Sequence, residues 1–355
     1  MDVRTLSVPG LVRVKPGALD RLGIYLERAG VVQAAVFVSE GLPQDFVTRL
    51  AGGLTSHGVV IVGPKGVRDG SFEQAVELFE GLPARIDCVV GLGGGKALDV
   101  AKYIAHLAGR PYYTVPTSLS NDGFSSPQSS LTLRGRRRSL ASRVPAGVVI
   151  DTEVCRGAPL QLWHSGVGDL AAKLTAVADW KLAFHHDGTP VNDFAALMSD
   201  ATVMQFLARP QRDLEGIRLL ATALLLNGVA MELAGNSRPA SGSEHLISHA
   251  LDGLPGRPRL HGLQVGVATY LMSHLQGGAQ TPRLGHLFDE TGFWDTIRGD
   301  PFSLPLWRRA IALAPTLKQG FHTILSNRDP WPDIERFIRD DARLFGCFVD
   351  WEEPS

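Results

Sequence analysis

Val89-Val90-Gly91-Leu92-Gly93-Gly94-Gly95-Lys96 is a β-branched run that passes through glycines into a helical stretch beginning near Ala97. Glycines let the backbone pass close to a pyrophosphate, and the first N–H groups of the following helix point at the anion, aided by the helix dipole. A dinucleotide is the natural guest of such a turn. The run departs from the common dinucleotide fingerprint, which wants Gly where Lys96 stands. It also departs from a Walker loop, because Ala97 replaces the magnesium-binding hydroxyl residue and Val90 the first glycine. Taken alone it is equally satisfied by tight packing of a strand against a helix. Asp99 is expected on the first turn of the helix, where a carboxylate favours the dipole.

Around this turn, β-branched runs alternate with helical ones. Ala34 to Ser39, Val59 to Gly63, Cys88 to Gly91, Tyr112 to Val115 and Val148 to Asp151 read as strands, and Gln44 to Gly53, Phe72 to Gly81 and Ala97 to Ala108 as helices. The alternation predicts a Rossmann-like α/β domain over residues 1–156, with a parallel sheet whose ligands bind at the carboxyl ends of the strands. From about Gly157 the β-rich runs stop. Leu170 to Phe184, Leu214 to Leu233, Glu244 to Leu251 and Leu263 to Leu275 carry helical spacing of apolar residues, which predicts an all-α domain over 157–355 and a cleft between the two. The charge run Arg134 to Arg138 around Gly135 reads as a solvated hairpin turn.

The 355 residues, 44% of them hydrophobic, are enough for about two domains with ample core. A net charge of −1 argues against a nucleic-acid partner. Cys88, Cys155 and Cys347 are scattered and odd in number, as expected of thiols in a reducing compartment, and a cytoplasmic location is expected. No basic-then-apolar export signal is seen at the amino terminus. The longest apolar stretch, around Leu219 to Leu226, reads as far short of a bilayer span, so no membrane role is expected.

Two further regions carry chemistry. Pro116 to Pro127 follows the strand ending at Val115 and crowds Thr117, Ser118, Ser120, Asp122, Ser125 and Ser126 into one loop at the edge of the sheet that holds the glycine turn. Hydroxyls there can bind phosphate or a carboxamide and Asp122 substrate hydroxyls, or the loop can hydrogen-bond only itself. His245 and His261 flank a Gly/Pro-rich turn, Gly253 to Pro258, so two helix ends can converge, while Asp169 lies on an earlier helical stretch. Three protein ligands hold a zinc-type ion and keep a position open for water or substrate, the arrangement of a catalytic site.

In order along the chain stand Gly-Gly-Gly-Lys-x-x-Asp at Gly93 to Asp99, Thr-x-x-Ser-x-Asp-Gly at Thr117 to Gly123 with Ser-Ser-Pro at Ser125 to Pro127, and Gly-x-Gly-Asp at Gly166 to Asp169. Ser-Arg-Pro-Ala-Ser-Gly-Ser-Glu-His at Ser237 to His245 and His-Gly-x-Gln-Val-Gly at His261 to Gly266 complete the series. Together they resemble the glycerol-1-phosphate dehydrogenase branch of the superfamily that also holds glycerol dehydrogenases, iron-containing alcohol dehydrogenases and dehydroquinate synthases. The resemblance covers nearly the whole chain and implies a dehydroquinate synthase-like fold.

What it implies can be placed residue by residue. Gly93, Gly94, Gly95, Lys96, Asp99, Thr117, Ser118, Ser120 and Ser126 match contacts to NAD(H) or NADP(H), with Glu40 against the adenosine ribose in favour of NAD. Asp122 matches a substrate contact, Asp169, His245 and His261 the zinc ligands, and His249 a histidine near the substrate. His249, four residues after His245, shares its helical face and could instead be a further ligand or a packed histidine. Lys173 stands where iron-type relatives place a fourth ligand, and a protonated lysine cannot ligate.

The implied activity is metal-dependent NAD(P)H reduction of a small phosphorylated ketone, dihydroxyacetone phosphate, to glycerol 1-phosphate, in a homo-oligomer. Two departures stand out: Leu263 where Glu is frequent, removing an expected hydrogen bond near the metal, and Phe321-His322 where a basic residue and Tyr are usual. They leave open a related dehydrogenase of another polyol, aldehyde or phosphonate-like compound. A dehydroquinate-synthase-like cyclase is a further alternative, although that group usually carries Glu where Asp169 stands, and a non-catalytic nucleotide-binding protein is the alternative of another class.

Overall fold

The computed structural model describes residues 6–351. Its first compact unit comprises the chain up to Ala158 together with Arg212–Glu232, and the second comprises Pro159–Gln211 with the chain from Leu233 onward. In the first unit, strands β1 (Leu11–Lys15), β2 (Gln33–Ser39), β3 (Val60–Val67), β4 (Cys88–Gly93) and β5 (Tyr112–Pro116) come before an antiparallel hairpin, β6 (Gln128–Leu133) and β7 (Arg136–Ala141), and then β8 (Gly147–Asp151). Six of them form a parallel sheet in the order β1-β8-β5-β4-β2-β3.

Helices α1 (Leu22–Arg28), α2 (Gln44–Thr55), α3 (Phe72–Glu80) and α4 (Gly95–Ala108) link the strands. Successive residues of β2 enter opposite cores: Ala34, Val36 and Val38 pack with Val90 and Leu92 on one face, and Ala35 and Phe37 with Val89, Val100 and Ala101 on the other. A strand buried on both faces needs an unbroken apolar run, which is why these segments do not alternate in hydrophobicity. After β2 the chain moves outward to β3, whereas after β4 it moves the other way to β5. The carboxyl ends of β2 and β4 therefore flank the topological switch point, where open α/β sheets bind their ligands.

The expected strands and helices are present, most with ends displaced by one or two residues, and β3 runs on to Val67. The short β1 was not foreseen. The arginine run is a hairpin turn as expected, with Arg134 and Gly135 at φ of 50° and 74°. Asp99 is corrected: α4 begins at Gly95, so Asp99 lies beyond the first turn and gains nothing from the dipole.

Helix α5 (Thr152–Gly157) still belongs to the first unit, and helices of the second include α6 (Leu160–Ala171), α7 (Lys173–Asp187), α8 (Asp193–Leu207), α10 (Ser243–Gly253) and α11 (His261–Leu275). Helix α9 (Leu214–Ala234) falls mostly in the first unit, unlike the continuous helical domain over 157–355 expected from sequence. The cause is local. A Cβ on Gly228 would collide with Ser125, so the bare helix backbone lies against that loop, and Ser125 Oγ donates to the Leu224 carbonyl at 3.0 Å. At 21 residues α9 is long and apolar enough to cross a membrane, a correction to the shorter apolar stretch expected, but 67% of its apolar window is buried within the protein.

Candidate functional site

In the first unit, Gly93 has φ of 139° and its Cα touches Ser39, so a side chain at Gly93 would overlap the serine. Ser39 Oγ accepts the Gly94 N–H at 3.1 Å, which ties the end of β2 to the glycine turn. Gly94 is the N-cap of α4 and no side chain caps the helix, leaving its first N–H groups available to an anion. The 117–127 loop wraps this turn: the Thr117 N–H donates to the Gly93 carbonyl at 3.0 Å, and the Asn121 side chain lies beside Gly95 and accepts the Gly123 N–H at 2.9 Å.

Glu40 follows β2 and rests over Gly66, whose missing side chain makes room for it. Lys96 is exposed, and Thr117, Ser118 and Ser120 lie in the loop at the carboxyl edge of the sheet. Asp122 opens a short 3-10 turn, Asp122–Phe124. Asp99 and Ser126 are different. They are 5% and 6% exposed, and both face the fully buried Lys102, whose Nζ is 3.1 Å from Asp99 Oδ1 and 3.4 Å from Ser126 Oγ. Sequence reading missed Ser39, Asn121 and Lys102. The i, i+3 spacing of Asp99 and Lys102 was the available signal.

In the second unit, Asp169 on α6, His245 on α10 and His261 at the start of α11 offer ligand atoms that all lie within 4.8 Å of one another. Asp169 Oδ1 is 3.4 Å from His245 Nε2 and 3.8 Å from His261 Nε2. Glycines allow this convergence. A Cβ on Gly168 would strike the Gly262 carbonyl and one on Gly262 the Ser165 carbonyl, so α6 and α11 cross at backbone contact, each with its ligand beside the contact glycine.

The partners of the ligands suit a cation. His245 Nδ1 lies 2.9 Å from Glu244 Oε1, and His261 Nδ1 lies 2.9 Å from Ser248 Oγ, which donates to Gln264 Oε1 at 2.7 Å. Each imidazole thus has its Nδ1 held by a hydrogen-bond partner and its Nε2 turned toward Asp169, so that Nε2, once free of a proton, faces the position a metal would take. The apolar Leu263 side chain takes no part in these hydrogen bonds, which come from Glu244, Ser248 and Gln264. Burial opposes a charge on Asp169, but Lys173 Nζ at 3.3 Å and the two histidines hold its carboxyl below the usual range. Burial also opposes a charge on His245, yet its bonds to Asp169 and Glu244 raise it to about 9. The same carboxylates that attract that proton would attract a metal ion in its place. The residues present fit a divalent cation held by one carboxylate oxygen and two imidazole nitrogens.

His249 is exposed, with its ring 6.1 Å from that of His261 and 20° from parallel. Arg238 is 3% exposed, with its guanidinium 3.6 Å over the Phe321 ring and a donated bond to the His322 carbonyl at 2.7 Å. Lys318 Nζ lies 3.8 Å over the same ring.

A nucleotide-type switch point on a parallel sheet and an Asp-His-His centre on helices together define a metal-dependent dehydrogenase. Residues 13–159 match the family model of iron-containing alcohol dehydrogenases. The chain is 39% identical over 281 residues to a glycerol-1-phosphate dehydrogenase [NAD(P)+] of Aeropyrum pernix, covering 77% of this chain and 79% of the relative. It is 38% identical over 343 residues to the enzyme of the same name from Hyperthermus butylicus, covering 94% and 97%. Glycerol dehydrogenase from Schizosaccharomyces pombe shares the fold at a TM-score of 0.71 and 18% identity, covering 99% of this chain and 95% of that one. The chain belongs to the iron-containing alcohol dehydrogenase family, among relatives named glycerol-1-phosphate dehydrogenases.

Proposed function

We propose that this protein interconverts dihydroxyacetone phosphate and sn-glycerol 1-phosphate with NAD(H) or NADP(H), using a divalent ion, zinc by its donor set, held by Asp169, His245 and His261. The observation that carries the reading is the triad itself, with each imidazole's Nδ1 held by a hydrogen-bond partner and its Nε2 turned toward Asp169. An ion bound there supplies Lewis acidity to a carbonyl oxygen on which hydride addition builds negative charge.

The chain's own residues do the rest. Gly93, Gly94, Gly95 and Lys96 would seat the cofactor pyrophosphate at the uncapped start of α4, with Thr117, Ser118 and Ser120 beside it. Glu40 would meet the ribose hydroxyls and favour NADH over NADPH. Asp122 would hold a substrate hydroxyl, and His249, exposed yet beside His261, would pass a proton between solvent and the product oxygen. Arg238 and Lys318 would meet the substrate phosphate. Burial of its ammonium and the neighbouring Arg238 charge lower Lys318 to about 8 although its side chain as a whole is exposed, and neither cation is ion-paired to a carboxylate among the described residues. The free, buried cysteines agree with a reducing, cytoplasmic compartment, and the assembly proposed is a homo-oligomer.

The test is oxidation of NADH and NADPH by dihydroxyacetone phosphate, with and without prior chelation, beside dihydroxyacetone and simple aldehydes. Activity on the phosphorylated ketone that chelation abolishes and added zinc restores is expected. Full activity after complete metal removal would refute the metal's role, and preference for an unphosphorylated carbonyl would refute the substrate.

A further inference from the structure

We propose that Lys102 is a positioning residue that clamps the 117–127 loop to the cofactor helix, so that the nicotinamide cofactor meets a preformed seat. The inference rests on the cofactor reading above and extends it to a residue that does not itself reach the cofactor.

Lys102 is 1% exposed and lies on α4, three residues after Asp99. A buried ammonium is tolerated only when it is paired and hydrogen-bonded, and here Nζ faces three oxygens, one paired with it by charge and two accepting hydrogen bonds. They are Asp99 Oδ1 at 3.1 Å, the Gly123 carbonyl at 2.5 Å and Ser126 Oγ at 3.4 Å. One comes from the helix and two from the loop. A buried ion pair is a poor source of stability compared with apolar residues of similar volume. Its value here lies in what it joins. The loop leaves the sheet pinned by Thr117 N–H to the Gly93 carbonyl, and the lysine grips its other end at Gly123 and Ser126. Ser118, Ser120 and Asp122 lie between the two anchors. A loop fixed before binding spares the cofactor the entropic cost of ordering it.

The test uses the whole protein without substrate. Wild type, Lys102→Met, Asp99→Asn and the double variant are titrated with NADH and with NADPH by cofactor fluorescence, and their melting temperatures are recorded. Lys102→Met should bind the cofactor at least tenfold more weakly and melt lower, since it leaves Asp99 buried without its cation. Asp99→Asn keeps the grip on Gly123 and is the reference for the double variant, because Asp99 itself matches a cofactor contact. The double variant, with neither charge of the pair left, should recover melting temperature yet bind at least tenfold more weakly than Asp99→Asn, and it carries the test alone if Lys102→Met does not fold. Affinity that recovers together with stability overturns the proposal. So does Lys102→Met binding within twofold of wild type, or the double variant binding within twofold of Asp99→Asn. A wild type that binds neither cofactor refutes the cofactor reading itself, and the clamp with it.

Discussion

Asp169 stands in the last turn of its helix, the end at which the dipole disfavours a carboxylate. It is held there by Lys173, four residues on and fully buried, which also donates to the Ala240 carbonyl at 3.2 Å. Because Lys173 engages Oδ2, the other oxygen is left toward the histidines. The three candidate ligands were legible in the sequence because Asp169, His245 and His261 each stand in a motif that matches the family pattern. Their supports were not, because Ser248 or Gln264 becomes a support only once α10 and α11 are known to face each other. Ser248→Ala should leave the fold intact and weaken zinc binding about tenfold, as loss of a hydrogen bond behind a ligating histidine does. Competition with a chromophoric chelator measures it, and unchanged affinity would mean that the Ser248 contact is incidental. Asp179 offers a pH signature. Burial and the Glu244 carboxylate push it up to about 6, against the Ser243 and Ile324 N–H groups that donate to it at 2.7 and 2.9 Å. A folded-state value above the unfolded one means that this group's stabilisation is complete below about pH 4 and is lost as pH rises through 6. Relative to Asp179→Asn, wild-type unfolding free energy in urea should therefore gain about 1 kcal/mol on going from pH 7 to pH 5. A gain in the opposite direction would contradict that ionisation.

At the scale of elements, the strand-turn-helix around Gly93 was legible because periodicity, β-branching and glycine agree there. Strand β1 was not, since Leu11–Lys15 is an edge strand, half-buried throughout, with charged residues at Arg13 and Lys15. The expected helical run Leu170 to Phe184 is divided between α6 and α7 by Ala172 alone, whose φ and ψ of −56° and −23° remain helical. That near-continuity preserves the i, i+4 reach of Lys173 to Asp169. The α6/α11 crossing is the element contact on which the metal centre depends. Gly168→Ala should drive a methyl into the Gly262 carbonyl and cost about 3 kcal/mol, measured by urea unfolding of the metal-free protein. It should also weaken metal binding, because parting the helices separates Asp169 from His261. An alanine that left both quantities unchanged would show that the crossing yields without consequence.

At the scale of the whole molecule, chain order and compact units part company: α9 comes from the middle of the helical sequence yet lies mostly in the unit of the sheet. A helix apolar on every face announces burial but not its partner, so periodicity alone could not assign it. The same partition separates the ligands. All three candidate metal ligands lie in the second unit, and the glycine turn and its loop in the first. The protein carries its own reporters of this division. Its six tryptophans, Trp163, Trp180, Trp294, Trp307, Trp331 and Trp351, all belong to the second unit, whereas Cys88 and Cys155 are buried thiols of the first. A ligand present at a hundredfold its dissociation constant stabilises the state that binds it by about 2.7 kcal/mol. Chelation should therefore lower the melting transition seen in tryptophan fluorescence by several degrees. Cofactor added to the metal-free protein should chiefly slow the reaction of Cys88 and Cys155 with a thiol reagent, with a smaller change in the tryptophan signal. If chelation instead exposed those thiols while the tryptophan transition stayed in place, the metal would have to be bound by the sheet unit, and the assignment of Asp169, His245 and His261 as its ligands would fail.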